Sequence, residues 1–128
     1  MRKLVSSGSH LEEPIGFFRA SRIGNHIAVS GTAPIDNGRT MFIGSVYDQT
    51  KYCLTLSIKA IEEAGGSVED VIRTRIMLTN IKEWEQAAKA YGELFSTQRP
   101  ACTFVEVKGF IEPEWLVETE VDAVVSGL

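Results

Sequence analysis

Residues 116–124, LVETEVDAV, narrow the possible folds of this 128-residue chain more than any other stretch. Side chains alternate between the two sides of a strand. Glu118, Glu120 and Asp122 therefore share one side, and Val117 and Val121 share the other. Such a strand belongs to a sheet with one covered face and one face that accepts charge. A loop containing Pro113 separates it from another strand candidate, Cys102 to Lys108.

The covering layer is legible upstream. Tyr47 to Ala64 fits a helix, with Leu54, Ile58 and Ile61 on one stripe. Gly65-Gly66 ends it, because glycine takes the left-handed cap at little cost. Ser67 with Asp70 starts a short helical turn, and Ile72 to Thr79 reads as a strand. Its two sides are Thr74, Ile76, Leu78 and Arg73, Arg75, Met77. Asn80 with Glu83 resembles a capping box opening a second helix, lined on one side by Trp84, Ala87, Ala88, Tyr91 and Phe95. Near the N-terminus, Gly16 to Ser21 reads as a strand, Ile23-Gly24-Asn25 as a turn and His26 to Ser30 as a strand. Asp36-Asn37-Gly38 is another tight turn, and part of residues 1–14 is expected to pair at a sheet edge.

The predicted order is β-β-α-β-α-β-β, an α+β mixed sheet in a single domain over residues 1–128. Two helices cover one face, predicted to carry Ile27, Val29, Ile76, Leu78, Val105, Val107, Val117 and Val121. The other face is predicted to carry His26, Ala28, Ser30, Arg73, Arg75, Met77, Cys102, Phe104, Glu118, Glu120 and Asp122. That face is too apolar for water alone and too charged for a closed core. It suits a subunit interface with polar pockets, which predicts an oligomer. A monomer with a solvated sheet face is the competing reading.

Charge and cysteine content exclude other classes. The net charge of −4, with no basic run, argues against a nucleic-acid partner. No apolar run is long enough for a membrane span, and no signal peptide is visible. Cys53 and Cys102 form no disulfide framework, so a reduced, cytoplasmic protein is expected. His10 and His26 are isolated, no metal site is predicted, and no cofactor is expected. The acids at 118, 120 and 122 stand roughly 6.5–7 Å apart along one strand, too far for one cation without help.

Several motifs then fall in one order: Ile15-Gly16, Ile23-Gly24-Asn25, Val29-Ser30-Gly31, Ala64-Gly65-Gly66, Asp70-Val71, Arg73-Thr74, Tyr91 with Phe95, Pro100-Ala101, Val105-Glu106-Val107 and Val117-Glu118-Thr119-Glu120. In this respect the chain resembles the RidA/YjgF/L-PSP family over nearly its whole length. The resemblance implies a chorismate-mutase-like subunit, a homotrimer and small-metabolite clefts between subunits. It also implies hydrolysis of reactive imines and enamines, such as 2-aminoacrylate, to keto acids and ammonia. By position, Glu118 matches the family glutamate that orients water. Phe18 matches a pocket tyrosine, Ser30 and Gly31 match pocket-lining residues, and Thr32 replaces a glutamine. Phe104 stands where a cysteine is common. Cys102 replaces the arginine that holds the substrate carboxylate, and a thiol cannot form that bidentate contact. Arg75, by alternation, and Arg19, beside Phe18, are the candidate substitutes for a small, anionic ligand. Arg75 has an alternative role, pairing with Glu118, Glu120 or a partner's acid. A non-catalytic, small-ligand-binding or regulatory trimer is the other functional reading.

Overall fold

The computed structural model describes residues 2–126. Its elements are β1 (Arg2–Val5), α1 (Glu12–Ile15), β2 (Ala20–Ile23), β3 (His26–Thr32), β4 (Ile35–Asp36), β5 (Arg39–Thr40), α2 (Val46–Glu63), β6 (Val71–Leu78), α3 (Trp84–Phe95), β7 (Ala101–Glu106) and β8 (Val117–Val124). Six strands form one sheet in the order β1-β2-β3-β8-β6-β7, and β4 pairs with β5 in a separate small hairpin. The β6–β7 pair is parallel, because α3 carries the chain back across the sheet; the other pairs are antiparallel.

Both long helices pack on one side of the sheet, as the acid-and-apolar alternation of β8 predicts. Ile27, Ile76, Leu78, Val117 and Ala123 are fully buried there against Leu54, Ile61, Ala87 and Phe95. Ser45 caps α2 by accepting the Asp48 amide at 3.1 Å. At the other end the Gly66 amide bonds the Ile61 carbonyl and the Gly65 amide bonds that of Glu62, with Gly65 at φ 95°. The Arg22 guanidinium then donates to the Ala64 carbonyl at 2.8 Å, neutralising the negative end of the helix.

Gln49, fully buried on α2, ties two loops together. Its amide nitrogen donates to the carbonyls of Met41, Phe42 and Glu114, and its oxygen accepts the Leu116 amide at 2.9 Å.

The structure corrects several expectations. Residues 16–19 are not strand. Gly16, at φ 93°, ends α1 in the left-handed region, and the Phe17 amide turns back to the Glu12 carbonyl. On β7 the faces are inverted: Cys102 pairs beside Thr74 and Phe104 beside Ile76, so both lie on the helix side. Val105 pairs beside Met77 on the bare side. The Val107 amide still bonds the Leu78 carbonyl, but Val107 lies past the end of the strand. On α3, Ala90 is buried rather than Ala88, and Trp84 is 47% exposed. The α1 turn, β1 and the β4–β5 hairpin add to the predicted order, and β1 occupies the expected sheet edge.

Candidate functional site

The bare face of the sheet gathers five of the predicted residues. Glu118 on β8 sits opposite Met77 of β6, and one step along the same face Glu120 sits opposite Arg75. β3 runs along the other side of β8 and is irregular between Val29 and Thr32, where the pairing slips. Ser30 and Gly31 occupy that slip. A side chain at Gly31 would begin 3.0 Å from the Glu118 carboxylate, so the missing Cβ is what makes room for the acid. The Ser30 hydroxyl donates to the Phe18 carbonyl at 2.6 Å, and the Ser30 amide bonds the Arg19 carbonyl. These bonds hold Phe18, 40% exposed, at the edge of the same face. A cavity of about 260 Å³ there is lined by Leu4, Phe18, Ala28 and Ser30 among others.

Glu118 is half-buried, and no described residue donates a hydrogen bond to it. Burial, helped by the Glu120 charge, pushes its carboxyl above the usual carboxylate range. Arg75 is engaged: its guanidinium forms an ion pair with the Glu120 carboxylate, both groups being about two-fifths exposed.

Three predicted residues lie elsewhere. Arg19 lines a cavity on the helix side with Tyr52 and Leu56 of α2. Cys102, an exposed free thiol, and Phe104 lie on the helix side of β7, at the opposite end of the sheet from β1. There the Tyr91 hydroxyl accepts from the Thr74 hydroxyl at 2.9 Å, and burial is the main cause raising its phenol to about 12, with Cys102 adding to it. Phe104 meets the rings of Trp84 and Tyr91 edge-on, at 6.4 and 6.1 Å. The sequence reads Tyr91 and Trp84 as helix core alone. The place of Tyr91 beside Cys102, and of Trp84 beside Phe104, follows from pairing across β6 and β7, which alternation within one segment does not reveal. Among the described residues, no group of three or more His, Cys, Asp or Glu could hold a metal ion, and no helix is long and apolar enough to cross a membrane.

Comparison with known proteins yields one consistent group. Residues 10–125 match the family model described as Endoribonuclease L-PSP. The Streptomyces coelicolor protein SCO2049 is 39% identical over 119 residues, covering 93% of this chain and 89% of that one. The 3-aminoacrylate deaminase RutC of Acinetobacter baylyi is 32% identical over 100 residues, covering 77% of this chain and 79% of the other. The crystal structure of Rv2704 from Mycobacterium tuberculosis, a YjgF/YER057c/UK114 protein, superposes with a TM-score of 0.88 at 37% identity, covering 98% of this chain and all of that one. The shared architecture is the chorismate-mutase-like fold.

Proposed function

This chain belongs to the RidA/YjgF/L-PSP family, and on that premise we propose that it holds a small reactive metabolite in clefts between copies of itself and hydrolyses it at a carbon–nitrogen double bond. The carrying observation is Glu118: half-buried, raised in pKa, without a hydrogen-bond donor among the described residues, and set against the bare backbone of Gly31. A carboxylate in that state is a stronger base than one in water and has both oxygens free to accept a water proton. Water adds to the imine carbon and one of its protons passes by way of Glu118 to the nitrogen, giving a carbinolamine; the hydroxyl proton of that adduct follows the same way to the nitrogen as the carbon–nitrogen bond breaks. Ammonia leaves and a carbonyl compound remains. Ser30, Gly31 and Phe18 form the wall against which the substrate is posed.

The assembly is a homotrimer in this reading, as the family resemblance implies. Its support is the unpartnered side of the sheet, where Leu4, Ile23 and Val105 are 44%, 55% and 37% exposed, and the outer edge of β7, where Ala101, Cys102 and Thr103 are all exposed. Such an assembly can bring Cys102 and Phe104 of one copy to Glu118 of the next.

Efficient 2-aminoacrylate deamination is not the proposed activity. An arginine–carboxylate fork is worth about 1.5–3 kcal/mol, a factor of about ten to a few hundred, and Cys102 supplies none of it. Arg75 is held by Glu120, which leaves it a poor substitute. That ion pair favours the second reading, a trimer that binds a small ligand in this cleft without turning it over. Generating 2-aminoacrylate or 3-aminoacrylate in situ and following its decay tests both. Decay above the uncatalysed rate with the natural protein supports hydrolysis. Hydrolysis that arises in Cys102→Arg alone means the natural chain does other work.

A further inference from the structure

Arg19 departs from the site that sequence reasoning gave it, and its surroundings point to a second ligand. It lines a cavity of about 670 Å³ on the helix side of the sheet, enclosed by residues 5–11, the β4–β5 turn and α2. Arg19 is half-buried, and no described residue accepts a hydrogen bond from its guanidinium or pairs with it. The ion pairs among the described residues are Lys51–Glu93 and Arg75–Glu120. The natural partner would be Glu12, whose carboxyl feels the Arg19 charge. Both Glu12 oxygens already accept hydrogen bonds from serines. One accepts the Ser6 hydroxyl at 2.7 Å, and the other accepts the Ser7 amide and hydroxyl, each at 2.7 Å.

Trp115 lines the same cavity. Trp115 is 7% exposed, and its indole Nε1 is one of two buried polar side-chain atoms with no hydrogen-bond partner among the described residues. A buried donor left unpaired is costly, and native structures leave few of them. The cavity thus holds one permanent cation without a partner among the described residues, beside a wall that includes Val5, Tyr52, Leu56 and the Trp115 ring, whose Nε1 is itself closed off from the open space. The rim carries the exposed acids Asp36 and Glu63 and the exposed cation Lys59, a net single negative charge that disfavours a multiply charged anion.

We infer that this cavity is a binding site for a small organic monocarboxylate, its oxygens on Arg19 and its short apolar body against Leu56, Tyr52 and Trp115. The site is separate from the bare-face cleft and does not depend on the activity proposed for it.

Titration of the ¹⁵N-labelled protein with butyrate tests it. The chain has two tryptophans, and Trp84 lies away on α3, so each indole N–H cross-peak reports one place once Trp84→Phe has assigned them. The expected result is a saturable shift of the Trp115 indole peak with the Trp84 peak unmoved, and no such shift with butylamine. Arg19→Ala weakens the butyrate response by about tenfold or more, the scale of a charged hydrogen-bonded contact, and Arg75→Ala leaves it unchanged. Should Arg19→Ala not fold, Leu56→Phe, which narrows the cavity from the helix side, must weaken the response instead. A Trp115 peak that does not saturate, a response that survives both variants, or a response lost equally in Arg75→Ala overturns the assignment.

Discussion

Glu12, in the N-terminal arm, and Glu118, on the bare face of the sheet, are two carboxylates drawn out of water with opposite results. At Glu12 burial raises the carboxyl, but the Ser7 hydroxyl and amide and the Ser6 hydroxyl outweigh it, and Arg19 adds to them. Its pKa therefore lies below the usual range. At Glu118 burial acts without any such donors among the described residues and the Glu120 charge reinforces it, so the pKa lies above that range. A buried acid with its donors in place organises the chain around it. A buried acid without them is left poised to take a proton or a hydrogen bond from something that arrives. The contrast between structural and reactive carboxylates here is one of donors, not of burial.

The sharpest way to break this contrast is chemical. If Glu118 is the acceptor for a water proton, Glu118→Gln lowers the rate of imine decay by about a hundredfold or more, while Glu12→Gln leaves the rate per folded molecule unchanged. An equal loss in both variants would mean that Glu118 acts only through the fold.

Stability should respond the other way round. Glu12→Gln removes an acceptor on which two serines converge and costs about 1–3 kcal/mol, seen as a lower Tm and as earlier proteolysis within residues 2–15. The pH dependence follows from the lowered pKa. The stabilisation is present above the unfolded-state carboxylate value and is lost as pH falls through the lower folded value, so the gap between wild type and Glu12→Gln closes in acid.

The smallest effect is the opposite sign at the other site. A raised pKa means the folded protein holds its proton more tightly than the unfolded chain does. Stability from Glu118 is therefore present below the unfolded value and falls as pH rises through the folded one. Glu118→Gln is expected to raise Tm slightly at neutral pH and to leave it unchanged in acid. A clear loss of Tm at neutral pH would show that Glu118 is held by the fold after all.

The sequence made the layered architecture legible because β3, β6 and β8 each carry a one-sided apolar pattern that only one covered face can satisfy. Ile27, Ile76 and Val117 could be assigned before any coordinates. β7 could not. Cys102 and Phe104 are as apolar as Thr103 and Val105, so alternation offers no preference, and parallel pairing with β6 decides which set meets the helices. Phe17 and Phe18 misled for a related reason. Two aromatics after a glycine look like a strand, whereas the Phe17 amide is tied to the Glu12 carbonyl. At the candidate site, Ser30, Gly31 and Glu118 were found through their positions in the family pattern, and the slip in β3 that joins them was not visible. Arg19 lies in a bend outside β2, where alternation from Phe18 gives no guide to its direction.

Gln49 carries a mechanical consequence. One side chain couples the loop at Met41 and Phe42 to the amide of Leu116, two positions ahead of Glu118. The exposed Phe42–Ile43 tip is thus anchored through Gln49 to the root of the strand that bears the acid, and moving one without the other breaks those bonds.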